Sequence, residues 1–275
     1  MNPDGFVIAG MQGMTGLDFP GLVSAIVFTQ GCNFYCPYCH NAHLIPRSAS
    51  VCRDTSSGLL CATGQDHKSP APSPKAAPSS SDAKLRHYGI AEEAALAFLR
   101  KRAGLLDGLV ISGGEPTLQP GLAEFCRSVK ALGYKVKLDT NGSRPEVLRQ
   151  LLDAELLDYV AVDCKTLPER YYPELCAERD VASALQRTLT LLCASSLPYE
   201  IRTTCVEPFI DAKAIESLAA FLPAPSPALL PALSKDAQWF LQKANLTPAM
   251  RAKGLAPIHS ADMERLAGLV GARIR

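Results

Sequence analysis

An α/β fold built on a parallel sheet is the class this sequence predicts. Two observations predict it. From residue 90 onward, short runs rich in apolar and β-branched residues alternate with segments of helical apolar spacing. Several of the strand-like runs end in glycine-rich or acidic clusters, and ligands gather at that C-terminal edge in parallel α/β proteins. A doubly wound open sheet is the structural alternative to a barrel.

The elements follow in order. Residues 22–29, rich in Val, Ile, Phe and Thr, read as a buried first strand that runs straight into a cysteine-rich loop. The segment 47–86 reads as a flexible insertion, because its far part carries Pro70, Pro72, Pro74 and Pro78 among serines and has little apolar surface to bury. Helices are expected over 90–102, 118–132, 145–154, 181–195, 212–222 and 261–270. Strands are expected over 108–112, 134–140, 157–163, 199–205 and 238–242, and a Pro-rich loop over 222–231.

Composition narrows the function. The chain has 275 residues, 47% of them hydrophobic, enough for a globular core that the simplest reading treats as one catalytic domain, 1–275. A net charge of +1 provides no basic field to attract nucleic acid. Ten cysteines and no N-terminal signal segment point to a reducing compartment, so a cytoplasmic protein is expected. The apolar run Leu22 to Phe28 is far shorter than the roughly 20 residues that cross a bilayer, and no membrane association is expected.

Cys32, Cys36 and Cys39 lie in the stretch Gln30-Gly31-Cys32-Asn33-Phe34-Tyr35-Cys36-Pro37-Tyr38-Cys39-His40-Asn41, with no fourth cysteine at ligand spacing. Electron-carrier clusters are held by four thiolates, so three leave one iron open for chemistry. Gaps of three and two residues let the thiolates point inward from one turn, and Gly31 permits the bend that starts it. Other readings stay open: Cys36 and Cys39 as a redox dithiol or half of a zinc site completed by His40 or His43, or three thiols that merely pack.

This motif, with an aromatic just before its last cysteine, resembles the signature of the radical S-adenosylmethionine family. The longer context, Asp18-Phe19-Pro20-Gly21 followed by Ile26 through Asn41, is similar to the activating enzymes of glycyl-radical proteins, above all those of anaerobic ribonucleotide reductase. The resemblance implies a partial (β/α)6 barrel. It implies a [4Fe-4S] cluster on Cys32, Cys36 and Cys39, with S-adenosylmethionine chelating the fourth iron. It further implies reduction by a flavodoxin- or ferredoxin-type donor, cleavage to a 5′-deoxyadenosyl radical, and hydrogen abstraction from a glycine of a partner enzyme. The short chain and the Cys39-His40-Asn41 sequence favour anaerobic ribonucleoside-triphosphate reductase as partner, with pyruvate formate-lyase or another glycyl-radical enzyme as the close alternative. A non-catalytic zinc or iron-sulfur protein is the alternative from a different class.

Further site residues follow at strand ends. Ser112-Gly113-Gly114-Glu115-Pro116 would hold the cofactor's amino group, main-chain carbonyls receiving it and Glu115 neutralising it; read alone, the segment is also a plain tight turn. By resemblance, Asp139, Thr140 and Asp163 are candidates for a monovalent cation beside the methionine carboxylate, with Lys165 near that carboxylate. Asp139 as a turn cap and an Asp163–Lys165 surface pair are the competing readings. Arg202 would reach a carboxylate with its planar fork, or serve a structural salt bridge. Tyr38 would lie beside the adenine, or pack under the loop. Cys52 and Cys61 are too few for a second cluster, and Cys126, Cys164, Cys176, Cys193 and Cys205 suit packing. His67, His87 and His259 carry no assignment.

Overall fold

Six parallel strands wind in chain order, each neighbour in sequence also the neighbour in space. They are β2 (Ser24–Thr29), β3 (Gly108–Gly113), β4 (Lys135–Thr140), β5 (Tyr159–Asp163), β6 (Tyr199–Glu207) and β7 (Ala237–Lys243). The computed structural model of the protein describes residues 6–45, 89–222 and 237–275. Sequential order without a reversal point is the winding of a barrel, so the sheet is an open, partial (β/α)6 barrel, and the doubly wound alternative is excluded. The insertion expected at 47–86, with Cys52, Cys61 and His67, lies outside the described residues, as do His87 and most of the expected 222–231 loop.

The strand at residues 24–29 is the second, not the first. It is preceded by β1 (Ile8–Thr15), which pairs with it antiparallel at the sheet edge. Gly10 and Gly13 break up the apolar pattern of β1, and its pairing is irregular at two points, so the strand has little local signature. At the other edge β9 (Arg273–Ile274) extends β7, and β8 (Ala256–Pro257) pairs antiparallel with β6.

Helices α1 (Glu92–Arg100), α2 (Leu122–Ala131), α3 (Pro145–Asp153), α5 (Val181–Ala194) and α6 (Ala212–Phe221) make the crossovers; α4 (Tyr171–Glu174) and α7 (Pro248–Arg251) are single turns, and α8 (Ser260–Val270) closes the chain. Helix α2 starts later than residue 118 because Pro120 and Gly121 separate it from a 3-10 turn at Pro116–Leu118. Pro145 opens α3, the Asp211 carboxylate caps α6 by accepting from the Ala214 N–H at 2.7 Å, and Gly271 ends α8 in the left-handed conformation.

The two sheet faces differ in kind. Val27, Ile111, Leu138, Val160, Val162, Ile201 and Leu241 point outward and pack with Leu99, Phe125, Leu148, Leu151, Leu189 and Leu218 of the helices. Each fully buried side chain of this size contributes about 1.5–3 kcal/mol, so the outer face is where the fold is stabilised. The inner face begins at the strand N-termini with a small apolar cluster, Phe19, Ile26 and Val110, and then turns polar. By register, Ser112, Lys137, Asp139, Asp163, Glu200 and Arg202 share that inner face.

Candidate active site

The cysteine loop leaves the C-terminal end of β2 through Gly31, whose φ of 87° is the left-handed turn the sequence called for. The loop is pinned on both sides. The Gly31 N–H donates to the Leu44 carbonyl at 2.9 Å, and the Tyr35 N–H to the Leu175 carbonyl at 2.9 Å. Phe34 is buried, bridges to Cys176 and packs its ring on Tyr171 at 5.8 Å. The backbone turns at Cys36, where the Cys39 N–H donates to the Cys36 carbonyl at 3.1 Å, and the Phe34 N–H donates to Cys32 Sγ at 3.3 Å.

Cys32, Cys36 and Cys39 are free thiols, each partly exposed. Among the described residues no three His, Cys, Asp or Glu side chains converge as ligands of a single ion do. A cubane spreads its thiolates over separate iron corners, and three free thiols on one anchored loop fit that donor set. Burial pushes the Cys32 thiol up to about 12 and Cys36 up to about 11, so iron rather than pH would be what deprotonates them. The other cysteines in the described residues are engaged elsewhere: Cys176 donates to the Tyr171 and Glu178 carbonyls, Cys193 pairs with the Tyr199 hydroxyl, Cys205 donates to the Thr203 carbonyl, and Cys126 and Cys164 are buried in the core.

Gly113 and Gly114 lie against this loop, main chain to main chain. The Gly114 N–H donates to the Thr29 carbonyl at 3.0 Å and the Glu115 N–H to the Gly31 carbonyl at 2.8 Å. A Cβ on Gly114 would stand 1.9 Å from the Gly31 oxygen, and one on Gly113 2.3 Å from the Thr29 nitrogen. The close approach that demands glycine is therefore made by the cysteine loop itself. Asn41 reaches back to the Gly113 carbonyl at 3.4 Å.

Glu115 follows the glycine pair directly. Its carboxylate is fully buried and accepts from the Thr117 N–H (3.1 Å), the Thr117 hydroxyl (2.5 Å), the Thr140 hydroxyl (2.6 Å) and the Asn141 N–H (2.7 Å). Burial raises its carboxyl above the usual range although these donors work to lower it. With three donors on Oε1 and one on Oε2, Glu115 knots the ends of β3 and β4 together.

The inner face carries a belt of ion pairs. Arg202 donates from Nε to Asp163 at 2.9 Å and from Nη1 to Asp139 at 3.2 Å; Lys165 meets Asp163 at 3.0 Å; Lys137 meets Asp139 at 2.5 Å and Glu200 at 4.0 Å; Arg275 meets Glu200 at 3.1 Å. Burial works to raise both aspartates, but Arg202 with Lys165 holds Asp163 at about 2, and Arg202 with Lys137 holds Asp139 below the ordinary carboxylate range. Lys165 is also close enough to Cys36 to lower that thiol, which places the belt's upper end at the cysteine loop.

At the candidate cation and adenine positions the side chains are engaged by other groups of the protein. Asp139 and Thr140 are adjacent on a strand and so point to opposite faces; the Thr140 hydroxyl donates to Glu115, and a guanidinium bridges the two aspartates where a monovalent metal ion was expected. Tyr38 is buried under the loop, its hydroxyl donating to the Lys165 carbonyl at 3.0 Å and its ring 5.5 Å from Phe209. Sequence reading missed Lys137, Glu200 and Arg275 of the belt. The signal for two of them was present: polar residues at every second position of β4 and β6, where a doubly covered parallel strand is apolar throughout. It also missed Asn33, whose amide donates to Ser143 at 3.0 Å and accepts from Asn141 at 2.9 Å.

A groove of about 1040 Å³ opens at the opposite end of the strands, lined by Phe19, Leu22, Leu152, Tyr159 and Leu197, and contains none of these site residues.

An open parallel barrel with three free thiols on its rim and an ion-paired inner face defines a cofactor-dependent enzyme of the α/β class. Residues 26–206 match the Radical SAM superfamily, and the chain belongs to that superfamily. It is an enzyme whose cofactors are a [4Fe-4S] cluster and S-adenosylmethionine. A protein of Methanocaldococcus jannaschii named "Putative glycyl-radical enzyme activating enzyme" is 30% identical over 220 residues, covering 78% of this chain and 74% of its own length. Among solved structures, Streptococcus suis SuiB bound to S-adenosylmethionine superposes with a TM-score of 0.54 at 13% identity, over 90% of this chain and 48% of that one. TYW1 with a lysine-pyruvate adduct bound gives 0.51 at 14% identity, over 90% and 72%. At such identities the likeness is one of fold. No helix among the described residues is long and apolar enough to cross a membrane.

Proposed function

We propose that this protein is a cytoplasmic activating enzyme that installs a glycyl radical on a partner enzyme, anaerobic ribonucleoside-triphosphate reductase, with electrons from a flavodoxin- or ferredoxin-type donor. The whole chain acts as one catalytic domain, with 47–86 inserted after the cysteine loop. The observation that carries the reading is the anchored loop of Cys32, Cys36 and Cys39 at the rim, directly above an inner face rich in cations. Similarity to the Methanocaldococcus jannaschii protein supports activation over the other reactions of the superfamily.

Cys32, Cys36 and Cys39 would hold the cluster, and Gly113 and Gly114 would offer main-chain atoms to the amino end of the cofactor. When bound, cluster and cofactor together supply a one-electron reductive cleavage of the sulfonium and abstraction of a hydrogen atom from glycine. Lys165 and Arg202, supported by Asp163 and Asp139, would take the methionine carboxylate; both are held firmly protonated, since the neighbouring aspartates outweigh the effect of burial. Glu115 and Asn33 keep the loop and strand ends in register. Because a hydrogen atom is moved, the chain needs no side chain poised as a general base.

Anaerobic reconstitution, reduction and chromatography for 5′-deoxyadenosine test the catalytic reading, and a loaded, reduced protein that releases none overturns it. Electron paramagnetic resonance of mixtures with candidate partners tests the target. A glycyl doublet with the reductase is expected; a doublet only with pyruvate formate-lyase or another glycyl-radical enzyme would reassign the partner.

A further inference from the structure

Lys137 has been given no part in holding the cofactor, and its surroundings are unusual. It lies on the inner face of β4 with 1% of its side chain exposed, 2.5 Å from Asp139 Oδ1, 4.0 Å from Glu200 and 5.8 Å from the centre of the Tyr159 ring. A buried ammonium is retained only where carboxylates surround it. The remaining carboxylate oxygens nearby are also served. Asp139 Oδ2 accepts from Arg202 and from the Ser112 hydroxyl at 3.2 Å each; Asp163 Oδ1 accepts from Arg202 and Oδ2 from Lys165.

We infer that Lys137, together with Arg202, is a built-in substitute for an inorganic monovalent cation, so that this protein binds S-adenosylmethionine without requiring potassium or sodium. The inference rests on the proposed function above, which puts the cofactor's methionine end at this belt. Among the described residues the belt holds four cations, Lys137, Lys165, Arg202 and Arg275, against three carboxylates, Asp139, Asp163 and Glu200. The carboxylate end of an entering cofactor would meet this local excess of positive charge, whereas an entering metal ion would add to it and face Lys137 and Arg202 as like charges. Thr140, which would complete an oxygen cage with Asp139, is turned to the other face. Lys137 is thus a positioning residue, fixing Asp139 and through it Arg202.

The test is the affinity of the cluster-loaded protein for S-adenosylmethionine, measured by equilibrium dialysis at constant ionic strength in tetramethylammonium chloride and in potassium chloride. The two dissociation constants should agree within about twofold, whereas tightening by about tenfold or more in potassium overturns the inference. In Lys137→Ala the affinity in tetramethylammonium should fall by about tenfold and recover on adding ammonium or potassium. A folded variant that keeps full affinity in tetramethylammonium overturns it equally. Thermal melting gives a readout free of the cofactor: potassium should leave the melting temperature of the natural protein unchanged and raise that of Lys137→Ala, and stabilisation of the natural protein by potassium counts against the inference. Should Lys137→Ala fail to fold, the dialysis and melting of the natural protein still decide. Absence of S-adenosylmethionine binding in every buffer would instead reject the functional reading, a result the melting data do not share.

Discussion

Asn141, in the turn after β4, donates its side-chain amide to the Asn33 side-chain oxygen at 2.9 Å, tying that turn to the loop between Cys32 and Cys36. The backbone N–H of Asn141 donates to Glu115 at 2.7 Å, so one chain of hydrogen bonds runs from Glu115, just past β3, to the cysteine loop. Three segments far apart in sequence are thereby held as one rim. Replacing Asn33 by alanine strands the Asn141 amide and the Ser143 hydroxyl. Urea unfolding should show a loss of about 1–3 kcal/mol, and iron analysis after reconstitution a lower content than in the natural protein.

Gly114→Ala should be among the most damaging single changes, because the new Cβ would meet backbone, the Gly31 carbonyl oxygen at 1.9 Å, and nothing flexible can yield. A destabilisation above about 4 kcal/mol is expected by denaturant melts. Gly268→Ala, on an exposed face of α8 with nothing within 4 Å, is the control and should stabilise by about 0.5–1 kcal/mol.

Alanine at Cys32, Cys36 or Cys39 should each abolish the visible absorption of a reconstituted [4Fe-4S] cluster while leaving far-ultraviolet circular dichroism intact. Alanine at Cys164 or Cys176 should do the reverse: the cluster forms, and the fold loses about 1 kcal/mol or more from lost packing. Retention of full iron in any of the first three would remove that residue from the ligand set.

Acid should uncover the ion-pair belt. Asp163 sits at about 2 and Asp139 is lowered as well, so the stability they contribute is complete above their unfolded values near pH 4 and is lost as the pH falls toward 2. Glu115, raised by burial, has the opposite sign: its protonation favours the folded chain. Asp163→Asn should therefore lower stability at pH 7 by about 2 kcal/mol and flatten the acid limb of a stability-against-pH curve. An unchanged acid limb would show that Asp163 is not paired in solution.

The parts legible in the sequence are those whose signal is local. β2, β3 and β5 announce themselves as apolar runs and β4 and β6 as alternating ones, and the cysteine spacing and the Gly113-Gly114 pair carry their chemistry within a dozen residues. β1 escaped because glycine interrupts it and its stabilising partner is a strand rather than its own pattern. The buried hydrogen-bond set of Glu115 escaped because two of its donors, Thr140 and Asn141, stand on another strand end. The resemblance groups Asp139 with Thr140, yet strand alternation separates their side chains to opposite faces. Lys137 and Glu200 were readable in principle, as polar residues at period two within strands otherwise fit for complete burial.

Sequential winding has an evolutionary corollary. Each crossover begins and ends beside its own two strands, so a lineage can lengthen, shorten or exchange one connection without re-threading the others. Recognition of a new protein target can then be tried out segment by segment along the lip of the barrel, while the wiring beneath it is inherited whole.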